Sequence, residues 1–369
     1  MQGQWLGTYT GTSTGAIMVN IDERESCYQG TAYLAEDDPI GFIPMASFKT
    51  ADKNANFTFR TDPIRPVNEL GLLLDWEQVK KAFPGHNFSQ YADVTGSWDA
   101  DSLKLQWTTD IGANGTCTLP RSKASEPSEL IAVEKDWDSY KEHVTTLDLR
   151  RRPLFRGQRG TWRLQTSFHR RGRADLARFI SEDLPLLHRH VSARTRHVFN
   201  LNMPDENGAF INLVRHHGYP TPLLDWTYSP FVAAFFAYHK ISNKDAAKAQ
   251  PDEKVRVLVF NREQWCGDCL QILFVAPPKP HVSVCEFIAI ENERMIPQQA
   301  ASTVTNVNDI ETYLKHMAEQ KHKTYLTAID LPKRDRQRVM RELSYMGITA
   351  GALFPGLDGA CEELAERNF

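Results

Sequence analysis

The first third of the chain alternates between apolar and polar residues. QWLGTYTG (4–11), GAIMVNID (15–22), CYQGTAYLAE (27–36), GFIPMASF (41–48), NFTFRTD (56–62), DVTGSWD (93–99), SLKLQWTTD (102–110) and GTCTLP (115–120) follow one another with Gly, Asn and Asp between them. A period of two sends one set of side chains to a core and the other to water, which marks half-buried strands. Short strands at this spacing predict a meandering antiparallel barrel or sandwich over residues 1–120. One short helix is predicted at 75–83, DWEQVKKAF.

RSKASEPSE (121–129) has no period and reads as a linker. From residue 130 the texture becomes mixed α/β. IAVEKDWDSYKEHVTTL (131–147) predicts a helix, and PLFRGQ (153–158) a short strand. RADLARFISEDL and LLHRHVSARTRHVF predict helices divided at Pro185, and AFINLVRHHG a helix closed by Gly218. PLLDWT (222–227) predicts a buried strand. SPFVAAFFAYHKI predicts a helix with Ser229 as N-cap and Pro230 at its first position. That helix is apolar almost all round, so it belongs to a core. VRVLVFN and LQILFVAP read as two strands, RDRQRVMRELSYMG as a helix ended by Gly347, and ITAGALFPGLDGACEELA as a short strand, a turn and a final helix. The fold class is therefore α+β: an N-terminal antiparallel β-barrel or sandwich (1–120), a linker (121–129) and a mixed α/β domain (130–369).

Composition adds bounds. With 369 residues, 41% hydrophobic and 24% charged, the chain is globular and long enough for two cores. No apolar run reaches membrane-spanning length, and MQGQWLGTYTG lacks the basic and apolar regions of a signal peptide, so the expected location is cytoplasmic. The six cysteines are then expected to be reduced. Cys266 and Cys269 form a CxxC with no second ligand pair, which reads as a turn between two strands, with a metal or redox role less favoured; no metal is expected. Gly3 and Trp5 form a GxW similar to the start of small ligand-binding barrels, while Trp5, Trp98 and Trp107 read as core plugs.

Charge is divided. Residues 1–130 hold 10 Lys+Arg against 17 Asp+Glu, and the remainder 33 against 29. Arg150, Arg151, Arg152, Arg156, Arg159, Arg163, Arg170, Arg171 and Arg173 crowd one segment. This is either a solvated basic face or a surface for a phosphate-bearing ligand or nucleic acid.

Four stretches carry candidate chemistry. In FRGQRG (155–160), Arg156 ends a strand, Gly157 permits close approach of a ligand, and Gln158 both donates and accepts. In PLLDWTYSP (222–230), Asp225 sits in an apolar strand and needs a partner, for which Arg156 is suited. Ser229 is explained as a cap, yet the same junction offers a helix N-terminus to an anion. In RHHGYPT (215–221), the adjacent His216 and His217 cannot share a helix face, so a joint metal site is not expected. One of them is a helix-end cap, a ring against a ligand or a general acid/base. ENERMIPQQA (291–300) brings Arg294, Gln298 and Gln299 after an apolar stretch, with Glu286, Glu291 and Glu293 nearby.

FRGQ, HHGYPTPLLDWTYSPFVAAFFA, RMIPQQA and GITAGALFPGLDGACEEL, in this order, resemble the landmarks of the FRG domain family across residues 130–364. Three positions depart from the family's pattern: Arg215 stands in place of Gln, Pro222 in place of Arg, and Ala300 in place of Gly. The Pro222 departure removes a cation beside the expected site.

FRG domains resemble ADP-ribosyltransferases, which implies NAD as substrate, with either a macromolecular acceptor or hydrolysis of NAD, in phage defence or as a toxin. The resemblance implies catalytic roles for Arg156, Asp225, Thr227, Gln298 and Gln299. It implies ligand contacts for Gly157, Gln158, His216, Trp226, Tyr228, Ser229 and Arg294, with Trp226 or Tyr228 stacking on nicotinamide. A glutamine is neutral and does not steady a ribosyl cation as a carboxylate does, so Asp225 or one of Glu286, Glu291 and Glu293 would supply that charge. The alternative is a binding module that holds a nucleotide or nucleic acid without turnover and engages a protein partner through its β-domain.

Overall fold

In the computed structural model, which describes residues 1–38 and 41–368, the alternating segments form nine antiparallel strands. These are β1 Gly3–Gly11, β2 Gly15–Glu23, β3 Tyr28–Glu36, β4 Ile43–Lys49, β5 Asn56–Arg60, β6 Arg65–Val67, β7 Ala92–Trp98, β8 Ser102–Thr109 and β9 Asn114–Pro120. Their lateral order is β5-β7-β8-β9-β1-β2-β3-β4-β6. β5 and β6 remain edges, so the unit is one curled sheet, a half-barrel, in place of a closed barrel or a sandwich. Period-two patterning dictates its lining: Ile17, Val19 and Ile21 of β2 share the inner core with Phe48, Phe57 and Leu103. Trp5 is buried in that core, with Trp98 and Trp107 packed against it. The short helix forms at Trp76–Ala82, capped by Asp75.

A second sheet contains β10 Ala132–Glu134, β11 Leu154–Gln158, β12 Leu223–Thr227, β13 Lys254–Phe260, β14 Val282–Cys285, β15 Ala300–Thr305 and β16 Leu326–Pro332. Its order is β10-β16-β13-β11-β12-β15-β14. β10 pairs with β16 in parallel, and β13 pairs with β11 and β16 antiparallel, so the sheet is mixed. One face packs on helices Trp137–Thr146, Pro230–Tyr238 and Arg336–Tyr345 through Phe155, Val257 and Ile329. The other receives Trp265, Ile310 and Leu314 through Leu154, Trp226 and Phe260. A third cluster joins Leu223 and Val304 to helix Pro204–His216. The class is α+β, with both sheets antiparallel in the main.

Several sequence expectations are corrected. The CxxC lies on helix Arg262–Asp268 and its end, because Asn261 caps that helix and Trp265 anchors it in the core. LQILFVAP forms no strand. Its backbone is held by side chains instead: Ile272 N donates to Ser283 Oγ at 2.7 Å, and the Gln271 side chain accepts from Val284 N at 2.8 Å. The 348–353 stretch is a helical turn capped by Thr349, not a strand. Residues 132–134 form β10 ahead of the helix, which starts after the Asp136 cap. Pro185 does not divide two helices: it sits in the first turn of Leu184–Val191, which continues from Phe179–Asp183. Proline is tolerated there because its missing N–H falls where the helix wraps wider, Leu184 N donating to Phe179 O. Strands β15 and β16 and helix Ile310–Lys321 were not foreseen.

The 121–129 segment is pinned rather than free at its C-terminal end. Ser128 Oγ donates to Glu311 at 2.7 Å and accepts from Arg256 Nη1 at 2.8 Å. Arg256 is itself paired across strands with Asp330 at 2.7 and 2.9 Å. Further contacts join the half-barrel to the rest of the chain: Gln4 Nε2 donates to Asn306 O at 2.6 Å, and Asn308 N donates to Gln4 Oε1 at 3.0 Å. Among the described residues no helix is long and apolar enough to cross a membrane.

Candidate anion-binding site

β11 and β12 share a single register pair, Phe155↔Thr227, whereas β11 pairs with β13 along its whole length. Next to that lone pair, Arg156 Nη1 donates to the backbone carbonyl of Asp225 at 2.6 Å. The Asp225 carboxylate pairs with Arg215, in the last turn of helix Pro204–His216. The expected ion pair between Arg156 and Asp225 is therefore replaced by a main-chain contact. The cause is alternation: Arg156 and Asp225 leave their strands toward opposite faces, and Arg215 approaches from the helix that covers Asp225. Arg215 Nη1 also donates to Ser167 Oγ at 3.1 Å, and the same oxygen accepts from Thr221 N at 3.1 Å.

Burial opposes the charge on Asp225, but Arg215, His216 and Arg156 outweigh it and hold the carboxyl below its ordinary range. Burial brings Arg156 down to about 10; Asp225 resists this shift, and Arg215 and Arg170 add to it. One carboxylate thus lies within electrostatic reach of three guanidiniums, of which Arg215 pairs with it directly. The buried Nε of Arg156, Nε of Arg215, Oδ1 of Asp225 and Oγ1 of Thr221 have no protein partner. Each such group left unsatisfied costs about 1–3 kcal/mol, more when charged. Their concentration at one junction is what a site completed by solvent or ligand looks like.

The other expected site residues separate into two groups. His216 stays at this junction: its Nδ1 lies 2.8 Å from Asn292 Oδ1, and its carbonyl accepts from Arg294 Nη1 at 2.7 Å. Gln158 is buried with Oε1 unpartnered, two residues beyond Arg156 and so on the same face of β11. The remainder have structural employment. A side chain on Gly157 would place its Cβ 1.9 Å from the Ala233 carbonyl, so this glycine admits the close approach of helix Pro230–Tyr238. Trp226 is buried on the opposite face from Asp225, its Nε1 donating to Thr303 Oγ1 at 3.1 Å and its ring packed on Phe260. Thr227 Oγ1 donates to Gln298 O at 2.7 Å and accepts from Ser229 N at 3.0 Å. Ser229 caps its helix through Val232 N. Gln298 Nε2 donates to Leu353 O at 2.9 Å, and Gln299, at φ 46°, accepts from Tyr228 N through its carbonyl at 3.0 Å. Tyr228 donates to Glu286 at 2.6 Å beneath the Arg152 guanidinium, and Glu286 also pairs with Arg152 and Arg262.

The arginine crowd does not form one basic face. Arg163 is buried against Asp309 and Glu311, Arg173 pairs with Asp22 and Asp183, Arg152 with Glu286, and Arg150 with Asp148. Arg156 and Arg170, by contrast, act on Asp225. Sequence reasoning missed Arg215, Ser167 and Thr221 as members of the site. Arg215 carried a signal nonetheless: a cation ten residues before an aspartate in an apolar strand, at a position where the family pattern has glutamine and where Pro222 had removed the other cation.

Residues 151–246 match the family model of the FRG domain. The chain carries an FRG domain. Arg156, Arg170, Arg215 and Asp225 lie inside the matched residues, and Gln298 and Gln299 lie outside them. No curated protein matches the chain. A solved redesigned β barrel aligns at 18% identity over 33% of this chain and 90% of its own, with a TM-score of 0.22, too low to indicate a shared fold.

Proposed function

We propose that the FRG domain binds a nucleotide through its phosphates at the junction of Arg156, Arg170 and Arg215. The observation that carries this reading is the excess of guanidinium over carboxylate, with two buried Nε donors unsatisfied. Arginine forks match phosphate oxygens, and a low-dielectric setting strengthens each contact. Asp225 aligns Arg215 through one oxygen and keeps the other available for a ribose hydroxyl. NAD is the expected nucleotide. The dispersed arginines favour a compact phosphate group over an extended nucleic-acid backbone. The half-barrel is then the natural surface for a protein partner.

A second reading, NAD cleavage of the ADP-ribosyltransferase type, is favoured by the unpartnered and ionised Asp225 Oδ1. In that reaction the bond between ribose C1′ and the nicotinamide nitrogen breaks, and its electron pair leaves with nicotinamide. The ribosyl cation is then attacked by water or by an acceptor nucleophile, which gives up a proton. A carboxylate beside the cation lowers that barrier. Gln298, committed to Leu353, supplies no such charge.

Calorimetric titration of the whole chain with NAD and ADP tests both readings, with nicotinamide release followed in parallel. Saturable binding, weakened about tenfold to a hundredfold by Arg156→Ala in a folded protein, supports the phosphate site. Nicotinamide release abolished by Asp225→Asn establishes the enzyme. Absence of binding at millimolar NAD and ADP rejects both.

A further inference from the structure

The half-barrel encloses a cavity of about 310 Å³ that the FRG-domain site does not use. Side chains from β1 to β5, β7 and β8 line it. Phe48, Phe57 and Phe59 make an aromatic wall, stacked at centroid spacings of 4.6 and 5.8 Å. Phe42, Trp76 and Phe88 make a second, with spacings of 5.4 to 5.5 Å. Exposed Thr12, Ile111 and Asn114 set the mouth at the β1–β2 and β8–β9 hairpins. Protein interiors are close-packed, so an apolar void of this size in a single small sheet is not a packing residue. An apolar cavity of ~150 Å³ already takes benzene and excludes water.

The lining is mainly apolar, with Thr61, Asn87 and Ser89 among its polar members and a further polar group at the β1–β2 hairpin. Tyr9 Oη lies 3.3 Å from Ser13 Oγ, which donates to Glu36 at 2.8 Å. Thr109 Oγ1 lines the same cavity, is shielded from solvent and has no partner. The lining thus offers an orphan hydroxyl, Thr109, and a carboxylate, Glu36; the carboxylate favours a head group that donates a hydrogen bond and disfavours an anion. Few polar groups convergent on a mainly apolar cavity is the ordinary make-up of a small-molecule site.

We propose that the half-barrel cavity binds an apolar small molecule of roughly ten carbons, with a hydroxyl or amine head held at Thr109 and Glu36. Binding here is independent of the phosphate site, so failure of one proposal leaves the other standing.

The test uses the full chain, extracted with organic solvent to remove carried-over ligand, and titrated with the neutral fluorophore N-phenylnaphthylamine. The expected result is a saturable rise in emission, reversed by decanol and decylamine, and reversed by decanoate at least tenfold less well. Ala46→Trp, on the cavity wall, removes the signal while circular dichroism shows a folded chain; Ala32→Phe serves as a second plug if the first fails to fold. Glu36→Gln brings decanoate close to decanol. Thr109→Val weakens decanol about fivefold and leaves the fluorophore unchanged. No saturable emission from wild type, or full emission from a folded plugged variant, overturns the proposal. Equal displacement by decanoate and decanol overturns the head-group assignment.

Discussion

Asp22, on β2 of the half-barrel, accepts a hydrogen bond from Arg173 Nε at 2.6 Å, from the segment that leads out of the FRG motif. The aspartate is fully buried, and its remaining capacity is taken by Arg178 Nη1 at 2.7 Å and by the backbone N–H groups of Ala174 and Asp175 at 2.8 and 3.2 Å. A fully satisfied buried carboxylate fixes geometry, and the half-barrel is thereby tied to the segment preceding helix Pro204–His216, whose last turn carries Arg215. Asp22→Ala is expected to destabilise the chain by about 1–3 kcal/mol: it leaves the buried N–H groups of Ala174 and Asp175 without their acceptor, while Arg173 keeps Asp183 and Arg178 keeps Glu182. Urea unfolding would show this as a lower midpoint; a midpoint equal to wild type would show that the tie contributes nothing.

Asp175 stands next to Asp22 and is pushed up to about 7, first by burial and also by the Asp22 charge, against hydrogen bonds from Arg178 N and Thr31. Its folded pKa lies above the unfolded value, so the folded chain holds the proton more tightly. This group therefore favours folding fully at low pH and loses that contribution as pH rises from about 4 to about 7. Asp175→Asn keeps the helix cap and removes the titration. Thermal melts across that window should show a shallower fall in stability for the variant than for wild type.

Gly157→Ala tests what the glycine of the Phe-Arg-Gly triplet does. The added methyl meets the Ala233 carbonyl and the Ala237 nitrogen at 1.9 and 2.5 Å, both of them backbone atoms. Overpacking of this kind costs typically about 1–3 kcal/mol, and here neither partner can swing aside. A drop in unfolding free energy of that order is expected. A stable variant with impaired ligand binding would assign the glycine to the ligand instead.

Thr227→Val separates a structural hydroxyl from a catalytic one. Its Oγ1 joins Gln298 O to Ser229 N, and the variant leaves that buried pair unmatched. Stability should fall by about 1–3 kcal/mol while nucleotide affinity, measured on the folded fraction, changes less than twofold. A large loss of affinity at unchanged stability would return Thr227 to the site.

Much of the element order was legible because local rules decide it. Period-two alternation gave the strands of the half-barrel, and Ser229-Pro230, Gly218 and Gly347 set helix ends that the backbone confirms. LQILFVAP defeated the same reasoning: an apolar run carries strand propensity, but whether it finds a ladder partner depends on a neighbour far away in sequence. The polar AASTVT of β15 lies at the other extreme, a strand without an alternating signal that is buried because β12 and β14 flank it.

For the site, the available chemistry is written in local residue types: an arginine at a strand end, an aspartate in an apolar strand and a hydroxyl-rich entry to a helix. Which of these groups meet is set by packing. Strand alternation turned Trp226 away from Asp225 and into the core, the close approach of helix Pro230–Tyr238 claimed Gly157, and Thr227 and Gln298 were spent on each other and on Leu353. Arg215 reached Asp225 because the last turn of a helix happens to lie over β12. Side-chain type is written locally, whereas the face it occupies and the partner it finds follow from packing between segments that the sequence keeps apart.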